Sequence, residues 1–388
     1  MTSLRNLFRN RLSALACTAL VLACVFSPAY AQISAPSAPA LGAKGYLLLD
    51  FDSGQVLASK NPDERLDPAS ITKLMTAYAV FRAIKSGQIG IDDEVLVSEK
   101  AWRTPGSRMF IEVGTRVPVR DLLPGMIVQS GNDASVALAE YVAGTEDSFA
   151  QVMNQLAAEL GMTNTSYRNS TGLPAEGHYT SASDIAKLAT ALIKEFPDYY
   201  KWYSQREFSY NGITQGNRNS LLWRDDTVDG IKTGYTENAG YCLVSSAKRD
   251  GMRLISVVLG TKSPSARANE SQALLNYGFR FFETQLLWDQ GEVIESARVW
   301  KGSEENTDLI VRDAVYVTVP RGSIEQLETS VKIPGKLIAP VSTGEPVGRV
   351  IATVNNEQLT EAGIYSSKSI PAGSFVQTTW DEVLLWFE

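Results

Sequence analysis

Apolar and polar positions divide the chain into segments of different period. Residues 15–26 are an apolar run behind Arg5, Arg9 and Arg11, and Ala29-Tyr30-Ala31 follows as a small-x-small site. This is the layout of a secretory leader, too short to span a bilayer, with the mature chain starting at Gln32. Residues 32–43 are Pro/Ala-rich and aperiodic, and read as a mobile linker. Two apolar stretches around Asp52-Ser53-Gly54 predict a hairpin over 45–60. Helical spacing predicts helices over 70–85 with Gly87 as the stop, over the Ala-rich 133–160 up to Gly161, and over 181–195 with Ser181 or Ser183 as N-cap. Strands return over 241–260 around Arg249-Asp250-Gly251, and a closing helix is predicted over 266–287. Beyond about 290 the period changes to two. Residues 315–320 and 350–354 alternate, and Gly335, Pro340, Gly344, Pro346 and Gly348 punctuate the region. The pattern therefore predicts an α+β domain over 44–290, a small all-β domain over 291–370 and a tail over 371–388.

Composition narrows the chemistry. Of 388 residues, 44% are hydrophobic and 20% charged, as in a folded globular chain. The formal charge is −7, and it becomes −10 once the three leader arginines are removed. With no basic run, nucleic acid is excluded as a partner. One histidine and three cysteines across the chain leave no framework for a metal or cluster cofactor, so none is expected. Cys17 and Cys24 fall in the leader, so Cys242 stays unpaired and reads as a small buried hydrophobe.

Three short motifs carry candidate chemistry. In Ser70-Ile71-Thr72-Lys73 a helix brings the lysine amine beside the serine hydroxyl. A serine needs such a base, and a lysine serves only when burial or a nearby cation lowers its pKa. In Ser130-Gly131-Asn132 a second hydroxyl can relay a proton, and the Asn132 amide can hold both Lys73 and a substrate amide. In Lys232-Thr233-Gly234, placed at the opening of an edge strand, an amine and a hydroxyl can bind a carboxylate, and the glycine lets a substrate backbone come close. Taken singly, the three are a chance helical spacing, a turn with a helix cap, and an exposed strand end.

Together and in this order they resemble the serine D-alanyl-D-alanine carboxypeptidases, the low-molecular-mass penicillin-binding proteins, with Ser-Gly-Asn as that subgroup's form of the second motif. The resemblance covers about 40–388 and includes Leu66-Asp67-Pro68-Ala69 before Ser70, Asp133-Ala134 after Asn132, and Arg267-Ala268-Asn269-Glu270-Ser271. It implies a penicillin-binding/β-lactamase-like catalytic domain followed by a β domain, acting on peptidoglycan stem peptides and acylated by β-lactam antibiotics. It further implies Ser70 as nucleophile, Lys73 as proton acceptor, Ser130 as proton relay and Asn132 as the support of the substrate amide. Lys232, Thr233 and Arg267 would face the terminal carboxylate, Gly234 would admit the substrate backbone, and the backbone N–H groups of Ser70 and Tyr235 would form the oxyanion hole. Many relatives carry histidine where this chain has Tyr235. His178, in the bordering loop, reads as a loop-ordering residue rather than a general base.

The same residues could support a DD-endopeptidase. A β-lactamase would need a loop glutamate, and Glu176, the only acid between Gly161 and Ala182, has the wrong surroundings. A non-catalytic wall-binding module would not need Ser70 and Lys73. The chain is expected to be exported to the periplasm. In a tail helix from about Thr378, Trp380, Val383, Leu384 and Phe387 share one face, which suits peripheral contact with the outer face of the plasma membrane, whereas Asp381, Glu382 and Glu388 oppose it.

Overall fold

A computed structural model describes residues 35–387. The leader, its cleavage site, Cys17 and Cys24 lie outside the described residues. The predicted hairpin is present as β1 (Gly45–Asp50) and β2 (Val56–Lys60). Ser70 sits in a single 3-10 turn, Ala69–Thr72, and the α-helix proper, α1, is Lys73–Lys85. Then follow α2 (Val119–Val128), α3 (Asn132–Ala143), α4 (Glu146–Glu159) and α5 (Ala182–Glu195). Strands β3 (Val228–Thr236), β4 (Gly240–Arg249) and β5 (Met252–Thr261) precede α6 (Pro264–Phe281).

The five strands form one antiparallel sheet in the order β2-β1-β5-β4-β3. Alternation along the central strands divides the core. Leu47, Leu49, Ile255 and Val257 face a large cluster with α1 to α5, whereas Leu48, Leu254 and Val258 face α6. A sheet covered on both faces explains why β1 reads as an unbroken apolar run. Helix α1 is buried nearly all round, and the Ser70 turn runs directly into it.

Four expectations are corrected. The Ala-rich stretch over 133–160 is two helices, because Gly144 takes φ +78° as a left-handed stop and Thr145 caps the next helix, accepting the Ser148 N–H. The closing helix ends at Phe281, and Phe282–Trp288 is a strand, β6. The 35–43 segment is not a free linker. Ala35, Ala38 and Leu41 pack on the α6 side of the sheet, Tyr277 donates to the Pro36 carbonyl at 2.8 Å, and the Ala43 N–H donates to Glu270 at 2.9 Å. The tail helix starts earlier than Thr378.

The β-rich part comprises β7 (Val293–Trp300), β8 (Asn306–Val311), β9 (Val315–Pro320), β10 (Leu327–Lys332), β11 (Leu337–Ile338), β12 (Pro346–Val354) and β13 (Glu357–Ser366). Strands β6 and β9 pair with each other, and the others form a six-stranded sheet in the order β10-β12-β13-β8-β7-β11. A buried polar knot joins the two parts. Asp50 accepts from the Thr284 hydroxyl at 2.7 Å and from the Ser53 N–H and hydroxyl at 2.8 Å each, and Ser53 bonds Thr318 at 2.6 Å. Helix α7 (Phe375–Leu385) closes the chain, with Ser374 and Gln377 forming a capping box. No helix among the described residues is long and apolar enough to cross a membrane.

Candidate active site

The three motifs, distant in sequence, meet at one cavity of about 520 Å³. The Ser70 turn brings the first. Ala69 takes φ +47° and Ser130 φ +67°, so strained non-glycine backbone lies beside both hydroxyls. Ser70 is half-buried, whereas Lys73 is 1% exposed, so Lys73 is an interior residue rather than a surface one. Its Nζ lies 3.0 Å from Ser70 Oγ, 2.7 Å from Asn132 Oδ1 and 2.7 Å from the Thr171 carbonyl. Burial, aided by the charge of Arg218, pulls the Lys73 pKa down to about 7, against the opposing charges of Asp133 and Glu146.

Asn132 opens α3, and its orientation is fixed by its own bonds. Nδ2 donates to the Pro105 carbonyl at 2.6 Å, which turns Oδ1 toward Lys73. Ser130 accepts from Lys232 Nζ at 2.9 Å. Burial, with the charges of Lys73, Arg218 and Arg267, holds the Lys232 pKa well below the ordinary lysine range.

Lys232, Thr233 and Gly234 lie inside β3 rather than at its opening, and β3 is the edge of the sheet. The Gly234 position is tight on the protein side. A Cβ there would stand 3.1 Å from the Pro68 carbonyl and 3.2 Å from Ala69 Cβ, so the glycine lets the Ser70 turn close on the strand. Tyr235 is half-exposed, its ring stacked on Tyr241 at 4.2 Å. Arg267 is not a solvated charge at a helix start. It is 8% exposed, donates to the Gly234 carbonyl at 3.1 Å and lies over the Tyr241 ring.

Two cavity residues escaped the sequence reading. Arg218 projects from a turn held by its buried neighbours, with Asn217 accepting the Asn219 N–H at 3.0 Å and Asn219 donating to the Gly230 carbonyl at 3.0 Å. An Asn-Arg-Asn turn before an edge strand was the available signal. Gly172 takes φ +83°, and a Cβ there would lie 1.8 Å from the Ala69 carbonyl oxygen. The 169–173 loop can therefore reach the Ser70 turn only with glycine. Among the described residues no aspartate or glutamate lines the cavity, and Glu176 is exposed outside it. Among the described residues no group of acids, histidines or cysteines could hold a metal ion.

His178 lies behind the turn. The Arg168 N–H donates to Nδ1 at 3.2 Å, which leaves the proton on Nε2, 2.9 Å from Thr72 Oγ1. Burial, aided by the Arg168 charge, lowers its pKa to about 4. The unfolded chain therefore takes up a proton below about pH 6.5 that the folded protein refuses. Stability is complete above that pH and falls as pH drops toward about 4. From pH 7 to pH 5 the loss through His178 should be about 2 kcal/mol. Urea midpoints at the two pH values check this, and His178→Asn should flatten the difference.

Residues 32–263 match the family model described as D-alanyl-D-alanine carboxypeptidase. The chain belongs to this family. The carboxypeptidase matches a second model, described as penicillin-binding protein 5, C-terminal domain, over residues 282–372. It is 42% identical to the D-alanyl-D-alanine carboxypeptidase DacC of Escherichia coli strain K12, over 94% of this chain and 93% of that one. Penicillin-binding protein 5 from Haemophilus influenzae shares its fold at TM-score 0.84 and 38% identity, over 87% of this chain and 99% of that one. Penicillin-binding protein D2 from Listeria monocytogenes in its ampicillin-bound form matches at TM-score 0.58 and 29% identity, over 63% of this chain and 100% of that one. The enzyme is thus a serine-type D-alanyl-D-alanine carboxypeptidase with a mixed catalytic domain and a β-rich C-terminal domain.

Proposed function

We propose that the enzyme removes the terminal D-alanine of peptidoglycan stem pentapeptides through an acyl-enzyme on Ser70, with Lys73 as general base. The observation that carries this reading is the buried Lys73 amine, 3.0 Å from Ser70 Oγ with its pKa near 7. A neutral amine has two N–H bonds and one lone pair. Asn132 Oδ1 and the Thr171 carbonyl use the two bonds, and the lone pair is left for the Ser70 O–H. Ser70 Oγ attacks the carbonyl between the two D-alanines as its proton passes to Lys73. The oxyanion is met by the N–H groups of Ser70 and Tyr235, each contributing about 3–4 kcal/mol. The Ser130 hydroxyl, held by Lys232, protonates the departing amine, and the proton on Lys73 restores it. Water then cleaves the ester. Arg267, Arg218 and Thr233 make a cationic, hydroxyl-bearing wall suited to the terminal carboxylate, with Lys232 buried behind Thr233 and bonded to Ser130. Penicillins, which also carry a carboxylate beside a strained amide, enter the same site.

The absence of an acid among the cavity residues favours a long-lived penicilloyl-enzyme over β-lactamase turnover. Three substrates assayed in parallel test the reading. D-Alanine should be released fastest from a pentapeptide and more slowly from a cross-linked dimer, and a penicillin should leave a stable adduct. Faster cleavage of the dimer would make the enzyme an endopeptidase instead.

The leader implies export to the periplasm, and α7 suits peripheral attachment to the outer face of the plasma membrane. Two of its acids are held in ion pairs. Asp381 pairs with Arg298 and accepts the Lys301 N–H at 2.5 Å, and Glu382 pairs with Lys301. Phe375, Val376, Trp380, Trp386 and Phe387 stay exposed. Asp381 and Glu382 are thus paired with the β domain, Glu388 lies outside the described residues, and an apolar face remains for the interface. Liposome flotation of the mature chain should exceed that of a chain ending at Pro371. Equal flotation of the two would remove the tail from this role.

A further inference from the structure

Two buried carboxylates stand behind Lys73 without lining the cavity, and the reaction scheme above uses neither. Asp133 is 1% exposed, and its four bonds come from backbone N–H groups. Oδ1 accepts from Met109 and Ala134 at 2.9 Å each, and Oδ2 from Phe110 at 2.9 Å and Ile111 at 3.3 Å. Phe110 takes φ +69°, a costly conformation for an aromatic residue, while its N–H is bound to this carboxylate. The loop so gathered holds Asn132 twice. The Ser107 carbonyl accepts the Asn132 N–H at 2.7 Å, and the Pro105 carbonyl accepts its Nδ2.

Glu146 does the equivalent on the other side. Its Oε1 accepts the Ser170 N–H at 3.0 Å and the Ser170 hydroxyl at 2.8 Å, and its Oε2 pairs with Lys100 at 2.8 Å. The Ser170 carbonyl accepts from Thr76 at 2.7 Å and Ser135 at 2.8 Å. The next carbonyl along, that of Thr171, receives Lys73.

We propose that Asp133 and Glu146 are positioning residues of the reaction. Asp133 fixes the Asn132 acceptor and Glu146 fixes the Thr171 acceptor, so the two N–H bonds of Lys73 are committed and its lone pair is aimed at Ser70. The inference rests on Lys73 acting as the base. The charged groups facing Lys73 are Lys232 and Arg218 across the cavity, Asp133 on α3, and Glu146 on α4 with Lys100 beyond it. His178 reaches it only through Thr72. Asp133 and Glu146 raise the Lys73 pKa, against burial and Arg218. Removing either charge should therefore move the Lys73 titration down, and removing the cation that offsets Glu146 should move it up.

The test is the pH profile of acylation by a penicillin for the wild type, Asp133→Asn, Glu146→Gln and Lys100→Met, with Lys73→Ala as the reference. Asp133→Asn and Glu146→Gln should lower the plateau by roughly tenfold or more and shift the rising step down by about half a pH unit. Lys100→Met removes the charge paired with Glu146 from a half-exposed position and leaves the Glu146–Ser170 bonds in place. It should keep the plateau within about twofold and shift the step upward, so it decides the matter alone if the two buried variants do not fold. A lowered plateau with an unmoved step would mark a merely structural role and overturn the proposal, as would an unmoved step in Lys100→Met. If Lys73→Ala still acylates, the base assignment itself is wrong and the proposal falls with it. If Lys73→Ala is inactive and the steps stay put, the base assignment stands and only the proposal fails.

Discussion

Ser70→Ala should abolish D-alanine release from a stem pentapeptide, with kcat falling on the order of 10⁵-fold or more. The two serine hydroxyls of the motifs have different environments. Ser130 is buried and takes its bond from Lys232, whereas Ser70 is half-buried, opens onto the cavity and faces the amine whose pKa is near 7. What remains in the variant would be the contribution of the cationic wall and the oxyanion donors alone. Because the Ser70 side chain bonds only Lys73 among the described residues, the variant should melt within a few degrees of the wild type. Initial rates with both proteins at matched concentration, beside their thermal midpoints, check the expectation. Residual activity above about one per cent, with folding intact, would sink it.

Lys73→Ala should lower the acylation rate by roughly 10²–10⁴-fold and erase the rise of activity with pH near 7. The sign follows from the amine. The base must be unprotonated, so the wild-type rate climbs as pH rises through the Lys73 pKa of about 7. Without the lysine that step has no source. Unlike Ser70→Ala, this change also touches stability. The Asn132 and Thr171 oxygens would lose a buried donor, at about 1–3 kcal/mol each, partly offset because a costly buried amine is removed as well. Acylation rates from pH 5 to 9, with a denaturation curve for each protein, separate the two effects. A pH step that persists in Lys73→Ala would assign the titration to another group.

The features legible in the sequence are those set by local spacing. Ser70 and Lys73 sit one turn apart, and Ser181 before an apolar-periodic run caps α5 through the Asp184 N–H. The alternation that predicted a β-rich region is realised in β9 and β12. Elsewhere the errors have identifiable causes. Alanines carry helical propensity across Gly144, so the Ala-rich stretch read as one helix, although the Gly144 stop and the Thr145 cap were both present as signals. The sequence pattern extends the closing helix over 282–287 because the strand character of that stretch depends on pairing with 315–320, a contact no local window contains. Arg218 and Gly172 lie in aperiodic loops, and their importance comes from what the fold brings against them. The same holds for Asp133. Beside Asn132 in the sequence it reads as part of a motif, but only the folded loop shows four backbone N–H groups converging on it.

The central claim is a single acyl-enzyme at Ser70. It is tested most directly by incubating the mature protein with a penicillin, measuring the intact mass, and mapping the adduct by peptide mass spectrometry. The account predicts one penicilloyl group per chain, carried by the peptide that contains Ser70, with loss of D-alanine release in proportion to labelling. An adduct on Ser130, on Cys242 or on any peptide lacking Ser70, or penicillin turnover that leaves no adduct, would contradict it.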